Sequence, residues 1–293
     1  MSTATIDSKV KRVVSNIRNL PTPPIVFHQI QKVINDPNVS AEQIANILAE
    51  DPAMSVKVLR LTNSAFYGLS REIESVKHAV IIVGLEAIKN LVLSASVLDM
   101  FKGKTLDEDF QDKFWRHSLA TAFGCRLLSK RLRDHVMVDP DSAFSAGLLH
   151  DVGKIILVCF LDDEYKRFKE ARDTNNTMMD CDLEKEVLGY NHAEIGGLLT
   201  EQWKIPGKLT EAILHHHHVE EVNSDSALSC IVYLANYLAK KTFYELDDKH
   251  QIGTADTRVL NFLGISEDDF EELEDLLREE YSHSETFMQM VGM

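Results

Sequence analysis

The chain has 293 residues, of which 44% are hydrophobic and 26% are charged, a composition typical of a globular protein and not of a disordered or collagen-like chain. Its formal net charge of -15 argues against a broad basic surface for binding nucleic acid or anionic lipid. The four cysteines have no CxxC spacing and lie among apolar neighbours, which predicts free, buried thiols in a reducing cytosol.

Residues 20 to 100 are predicted to form short helices joined by tight turns. Prolines at 21, 23 and 24 precede an apolar pattern of helical spacing that should end by Asp36-Pro37. Ser40 to Gln43 matches a helix capping box, and Asp51-Pro52 is typical of the start of another helix. This part of the chain is therefore expected to be all helical.

No membrane-targeting segment is expected. Residues 1 to 20 contain neither a continuous apolar run nor a small-residue cleavage site, so a secretory signal is not predicted. The most apolar stretch, Ala79 to Leu98, has the length of a membrane span but is interrupted by Glu86 and Lys89. We interpret it as an amphipathic core helix of a cytoplasmic protein.

The second half of the chain is also predicted to be helical. A long amphipathic pattern covers Phe110 to Arg133, and six shorter ones follow at 141–150, 162–173, 180–188, 192–203, 208–218 and 225–241. The apolar runs 80–83 and 155–158 could be strands by periodicity alone, but neither has a partner strand with a hairpin turn nearby. The fold class is therefore predicted to be all-α.

The C-terminal segment is strongly acidic. Ser266 to Glu285 carries ten acidic residues and one basic residue, yet Phe270, Leu273 and Leu277 keep helical spacing. A solvated acidic helix that packs through these apolar residues is the simpler interpretation, and a dedicated binding tail is the alternative.

Histidines mark the candidate chemistry. His150-Asp151 follows an apolar helix, and Gly153 would allow a sharp exit that aims both side chains inward. An imidazole beside a carboxylate can complete a metal site, although this dipeptide alone is common by chance.

Three further histidine stretches give the dipeptide its context. His117, His192 and the run His215 to His218 lie beside small or apolar residues, where a buried imidazole needs a partner. Each alone is more simply a core or capping histidine, but together they indicate a site. Successive helical residues point about 100° apart, so only some of the His run can face it.

The order of these motifs resembles the HD superfamily of metal-dependent phosphohydrolases, and the front of the chain is similar to the HDOD family, an HD-related output domain of bacterial signalling proteins. The resemblance runs from about Leu20 to Ala239. It rests on Leu20-Pro21-Thr22-Pro23-Pro24, Asp51 to Arg60, Asn63 to Tyr67, Ile82 to Leu85, His117, His150-Asp151 with Gly153-Lys154, His192 with Glu194-Ile195-Gly196, and a later His pair.

The resemblance implies an all-α fold in which an N-terminal helical lobe, 20–106, packs on an HD-type core, 107–240. Residues 1–19 would be an N-terminal extension. Residues 241–293 would be an acidic C-terminal helical segment.

The resemblance also implies one or two divalent ions, Mn, Fe, Mg or Zn. The implied ligands are His117, His150, Asp151, His192, His216, His217 and Asn236. Asn236 stands where metal-binding relatives have Asp, and a neutral amide binds a dication more weakly than a carboxylate. In a hydrolase, Asp151 and Lys154 would be the catalytic residues. The G-Y-P signature of cyclic-di-GMP phosphodiesterases is missing after the His pair, so that substrate class is disfavoured.

Two functions remain open from the sequence. The first is a bacterial cytosolic signalling module that acts by binding a ligand or a signalling protein partner, without turnover. The second is a divalent-metal-dependent phosphohydrolase acting on a nucleotide or phosphoester. A nucleic-acid partner or a membrane is not expected. Asn236 and the missing G-Y-P signature favour the first.

Overall fold

The computed structural model describes residues 8–17, 25–34, 36, 38–100, 107–175, 177–243 and 252–291. Its α-helices are, in chain order, α1 (Ser8–Ser15), α2 (Ile25–Val33), α3 (Ala41–Ala49), α4 (Pro52–Thr62), α5 (Val76–Val83), α6 (Leu85–Met100), α7 (Glu108–Arg131), α8 (Pro140–Leu149), α9 (Val152–Phe160), α10 (Asp162–Thr174), α11 (Asp180–Leu188), α12 (His192–Gln202), α13 (Gly207–Leu214), α14 (Ala227–Phe243), α15 (Thr257–Leu263), α16 (Phe270–Tyr281) and α17 (Glu285–Val291).

The all-α prediction is confirmed, since the described residues contain no strand. The two apolar runs that could have been strands lie in α5 and α9. The predicted proline break at 20–24 and Pro37 lie outside the described residues.

The helices group into two compact units, one within 1–20 and 104–278 and the other within 21–103 and 279–293. The domain boundaries expected from the sequence stay a prediction, because a family domain and a compact unit divide a chain by different criteria.

The second unit begins its helices at the predicted caps. Ser40 Oγ accepts a hydrogen bond from the Gln43 amide at 3.2 Å, and Gln43 Oε1 accepts one from the Ser40 amide at 2.8 Å. Asp51 Oδ1 accepts from the Met54 amide at 3.0 Å, with Pro52 as the first helical residue. Both caps occupy amide donors that the first turn of a helix leaves unpaired.

The prediction of a single amphipathic helix from Ala79 to Leu98 is wrong. The chain breaks at Gly84, whose φ of 92° is in the region that favours glycine, and α5 and α6 meet at a bend of 118°. Residues 87–97 of α6 are buried on every side. The helix therefore has no solvent-exposed face in this stretch, and even its polar residues Lys89, Asn90, Ser94 and Ser96 are buried.

Among the described residues, one helical stretch is long and apolar enough to cross a membrane, and a second is if a bent pair of helices is taken as one. One is Pro140–Phe160, in which 78% of the apolar window is buried inside the protein, and the other is the bent pair Val76–Val83 with Leu85–Val97. Buried core helices pass the same test, so neither stretch is evidence for a membrane.

The side chain of Asn63 makes two hydrogen bonds to the loop that follows α4. Its Nδ2 donates to the Ile73 carbonyl at 2.8 Å, and its Oδ1 accepts from the Ile73 amide at 2.7 Å. The side chain thus pairs with the backbone of a residue ten positions later and holds the buried Ile73 in place.

Replacing Asn63 with alanine should lower the free energy of unfolding by about 1–2 kcal/mol, because two backbone groups lose their partners. Chemical denaturation would measure this. Asn38→Ala is the matched control, since Asn38 is exposed and, among the described residues, its side chain bonds to nearby Asp36 alone. An equal loss in both variants would contradict the structural role of Asn63.

The first unit is built on close helix contacts. α7 packs against α8 and α14, and α12 packs against α9 and α13. A Cβ on Gly147 would lie 2.8 Å from Ala122 Cα, and one on Gly153 would lie 1.9 Å from the His192 carbonyl oxygen. Gly153 lies within α9 and serves this close approach. The sharp chain exit expected of it was wrong.

The first described helix, α1, closes over the start of α12. The Lys9 ammonium donates to the Leu188 carbonyl at the end of α11 and lies 5.9 Å from the centre of the Tyr190 ring. Gly189, in the left-handed region with a φ of 85°, ends α11 between these contacts. Lys9 thereby covers the turn that leads to His192.

Candidate metal centre

The ends of several helices in the first unit bring the predicted histidines together. His117 lies within α7, His150 and Asp151 lie between α8 and α9, and His192 is the first residue of α12. His216 and His217 follow α13. We call the group of His117, His150, Asp151, His192, His216 and His217 the Asp151 centre. His150, Asp151, His192 and His216 are at most 1% exposed.

Each oxygen of Asp151 faces a different set of side chains. Oδ2 lies 3.3 Å from His150 Nε2, 3.6 Å from His117 Nε2 and 2.7 Å from Lys154 Nζ. Asp151, His117 and His150 therefore form a triad that could hold one metal ion.

The other oxygen faces the later histidines. Oδ1 lies 3.1 Å from His192 Nε2 and 3.4 Å from His216 Nε2, and His217 Nε2 lies 2.8 Å from His192 Nε2. Together with Asp151 these three histidines could hold a second ion. The carboxylate is thus placed to be shared between two ions.

Three imidazole rings of the centre donate a hydrogen bond from Nδ1, which leaves the lone pair on Nε2, the ring nitrogen that faces Asp151. Nδ1 of His150 donates to the Gly147 carbonyl at 2.6 Å, and Nδ1 of His216 donates to the Ile213 carbonyl at 2.6 Å. Nδ1 of His192 donates to Glu184 Oε2 at 2.7 Å. A neutral imidazole protonated on Nδ1 carries its lone pair on Nε2, the arrangement found in metal-ligating histidines.

Two acceptor atoms of the centre face each other with no hydrogen-bond donor among the described residues. Asp151 Oδ1 and His216 Nε2 are buried atoms without a hydrogen-bond partner. Acceptor atoms that face each other in a buried site are satisfied by a cation, a proton or a water molecule between them. The donor set therefore fits a divalent metal ion.

The protonation states also suit a metal site. Burial, reinforced by His150, holds the pKa of His117 well below its usual value, and burial lowers the pKa of His216 to about 3. Burial alone would raise the pKa of Asp151, but His150 and Lys154 hold it well below its usual value. Neutral imidazoles and an ionised carboxylate are the forms that bind metals.

Glu184 is a site residue that the sequence analysis missed. It is 1% exposed, and its Oε2 accepts both from His192 Nδ1 and from the His192 amide at 2.7 Å. Burial alone would lower the pKa of His192, but Glu184 raises it. The available signal was its position between Cys181 and Leu188 on the buried face of α11.

Lys240 on α14 was also missed. Burial and the charge of Lys154 lower its pKa, and its own charge acts on His117, His217 and Asp151. Two lysines thus place positive charge near the Asp151 centre. Nothing in the sequence pattern distinguished Lys240 from the other basic residues in the last turn of α14.

Asn236 lies on α14 one turn before Lys240, 3% exposed, and its buried Oδ1 has no hydrogen-bond partner. Its assignment as a metal ligand stays a prediction. An unpaired amide oxygen in such a position is the kind of group that an ion or a bound water would satisfy.

The histidine run differs from its prediction in one respect. The helix predicted for 208–218 ends at Leu214, and the run lies in the turn that follows. The 100° rule therefore does not apply, and both His216 and His217 join the centre. His215 is half-buried outside it, and His218 is exposed.

The family model of the HDOD domain matches residues 20–219. The chain belongs to the HDOD family. The match includes every residue of the Asp151 centre and ends before α14, so Asn236 and Lys240 lie outside it.

Three relatives place this HDOD chain among similar proteins. A Treponema pallidum protein named only as uncharacterized is 25% identical over 209 residues, which cover 71% of this chain and 39% of that protein. A structure from Shewanella amazonensis whose name suggests a phosphohydrolase is 25% identical, with a TM-score of 0.74 and coverage of 97% and 98%. A structure from Marinobacter aquaeolei whose name suggests signal transduction is 19% identical, with a TM-score of 0.78 and coverage of 100% and 69%; at that identity the likeness shows the fold alone.

Proposed function

We propose that this HDOD chain is a signal-transduction module whose core binds divalent metal ions and, through them, a phosphate-bearing ligand, and that it acts by binding rather than by turnover. The observation that carries the proposal is the convergence of Nε2 lone pairs on both oxygens of Asp151. A signalling protein partner and a cytoplasmic location, both expected from the sequence, belong to the proposal.

The ligand atoms of the Asp151 centre limit the range of metal ions that it can bind. Imidazole nitrogen suits iron, zinc and similar ions, whereas Mg²⁺ prefers an all-oxygen site. The five imidazoles and one carboxylate of the Asp151 centre therefore favour Mn, Fe or Zn over Mg. Such an ion would supply Lewis-acid attraction for phosphate oxygens and for water.

The lysines support the choice of a phosphate-bearing ligand. Lys154 Nζ lies 2.7 Å from Asp151 Oδ2, and the charge of Lys240 also reaches this carboxylate. Near the Asp151 centre, their positive charges offset part of the negative charge that predominates in the chain as a whole. The centre can therefore attract an anion.

Binding without turnover is supported by Asn236. Where a metal-binding relative would have a carboxylate, this chain has a neutral amide, so a bound ion keeps one more unit of positive charge. That excess charge favours holding an anion. The missing carboxylate also weakens binding of the ion, and hydrolysis would need the ion to be bound firmly.

Metal analysis tests the proposal. Protein purified without a His tag should contain one or two divalent ions per chain by elemental analysis, and inorganic phosphate should raise the melting temperature only of the metal-loaded form. A protein that stays metal-free after Mn and Fe are supplied would overturn the proposal.

Hydrolysis of a phosphoester is the second candidate, and the near-complete histidine set with Lys154 favours it. Asn236→Asp should strengthen metal binding under either function, because it adds a carboxylate. Release of phosphate from a nucleotide or phosphoester panel by the metal-loaded wild type, lost in Lys154→Ala, would establish this second function. Metal binding without phosphate release would support the first.

A further inference from the structure

A second group of metal-ligand side chains lies beside the Asp151 centre. Cys181 and Asp182 are in the first turn of α11, and His218 is in the turn after α13. One ligand atom from each, the Cys181 sulfur, an Asp182 oxygen and a His218 ring nitrogen, lies within 4.8 Å of the other two. His218 Nε2 is 3.3 Å from Asp182 Oδ1.

The group is open to solvent on one side. Cys181 is fully buried, whereas the side chains of Asp182 and His218 are 46% and 62% exposed. An ion could therefore enter past His218 and meet the sulfur at the base of the site.

We propose that Cys181, Asp182 and His218 form an accessory site for a transition-metal ion of the Zn²⁺ or Co²⁺ type, which we call the Cys181 site. Sulfur, nitrogen and oxygen donors together suit such borderline ions and exclude Mg²⁺ and Ca²⁺. Three protein ligands leave a fourth position of a tetrahedral ion open to water or to a small ligand.

Metal uptake at this site displaces a proton. Burial raises the pKa of Cys181 to about 12, so its thiol is protonated in the absence of metal. As the metal–sulfur bond forms, the sulfur–hydrogen bond breaks and the proton passes to solvent. One proton is released for each ion bound, and no electron is transferred.

The Cys181 site takes its residues from the two segments of the chain that carry His217 and Glu184. His218 directly follows His217, and Cys181 lies one turn before Glu184, the partner of His192. An ion at the Cys181 site would therefore tie the turn that carries His216 and His217 to the helix that orients His192.

Cobalt absorption tests this proposal. Untagged protein titrated with Co²⁺ without oxygen should develop a near-ultraviolet sulfur-to-cobalt charge-transfer band. The Asp151 centre contains no sulfur, so the band reports only a cysteine ligand. Cys181→Ser should abolish it, and Cys159→Ser, which changes a half-buried cysteine outside the site, should leave it unchanged.

Two further variants separate the possible outcomes. Loss of a residue that merely supports a metal ligand lowers affinity by about 10- to 100-fold, so His218→Ala should weaken Co²⁺ binding by at least this amount. His218 is exposed, so this variant should fold even if Cys181→Ser does not. Asp151→Asn should keep the band, which distinguishes failure of the Asp151 centre from failure of the Cys181 site. Absence of the band in the wild type, or its persistence in a folded Cys181→Ser protein, would overturn the proposal.

Discussion

Replacing Asp151 with asparagine should remove bound metal from both halves of the Asp151 centre at once. Its two oxygens face separate histidine sets, Oδ2 toward His117 and His150 and Oδ1 toward His192 and His216. Asparagine keeps the shape of the side chain but loses the charge and one of the two oxygens. Elemental analysis of the untagged variant after loading with Mn or Fe, which avoids the Zn²⁺ and Co²⁺ proposed for the Cys181 site, should find neither metal.

Histidine variants should instead remove metal from one side. His117→Ala should lose the ion next to Oδ2 and keep the other, and His217→Ala should do the reverse. Each should therefore retain roughly half of the metal that the Asp151 centre holds in the wild type, whereas Asp151→Asn retains none of it. If the wild type binds only one ion, only one of the two histidine variants should lose it.

The matched control for the Asp151 variant is Asp163→Asn. Asp163 is exposed in the first turn of α10 and belongs to none of the metal-ligand groups among the described residues. This variant should keep the wild-type metal content. Metal content unchanged in a folded Asp151→Asn protein would show that Asp151 is not shared between the two histidine sets.

Gly153→Ala should both destabilise the protein and empty the Asp151 centre. The new Cβ would lie 1.9 Å from the His192 carbonyl oxygen and 2.8 Å from the Gly196 amide nitrogen. Both are backbone atoms of α12, so the clash cannot be relieved by turning a flexible side chain. α9 and α12 must separate, and Asp151 and His192 lie at the ends of these two helices.

Overpacking a close helix contact costs about 1–3 kcal/mol and sometimes more, and we expect the upper end here. Urea unfolding would measure the loss, and elemental analysis would measure the metal. Gly207→Ala is the control, because a Cβ there meets no atom within 4 Å. Wild-type stability and metal content in Gly153→Ala would contradict the close approach of the two helices.

The fold class and most of the histidine set were predictable. The ranges predicted from the sequence match α8, α10, α11 and α12 within about one residue at each end. The apolar runs in α5 and α9 were ambiguous for different reasons. α9 is buried on several sides, so its apolar residues lose the helical period and look like a buried strand. In α5 the exposed positions are themselves apolar, since Ile81 and Ile82 are 62% and 50% exposed. Small or apolar neighbours, together with resemblance to the HD superfamily, rather than periodicity, grouped His117, His150-Asp151 and His192.

The rest of the centre depends on contacts that no local pattern encodes. Glu184 is 8 residues from His192, and its pairing appears only once α11 and α12 pack together. The direction of the lone pairs depends on carbonyls at the ends of α8 and α13, which pair with His150 and His216. That Gly153 permits close packing, rather than a sharp exit, likewise depends on α12, which begins 39 residues later at His192.

The contact between Lys9 and Leu188 bears on the order in which the molecule folds. The two residues are 179 positions apart, so α1 leaves the ribosome long before its docking surface exists. The loop between them costs entropy that grows with its length, and this entropy is lost before the contact can repay it. α1 therefore docks late. Because Lys9 covers the turn that leads directly into His192, α1 is among the last elements to complete the environment of this histidine, although it is synthesised long before α11 and α12.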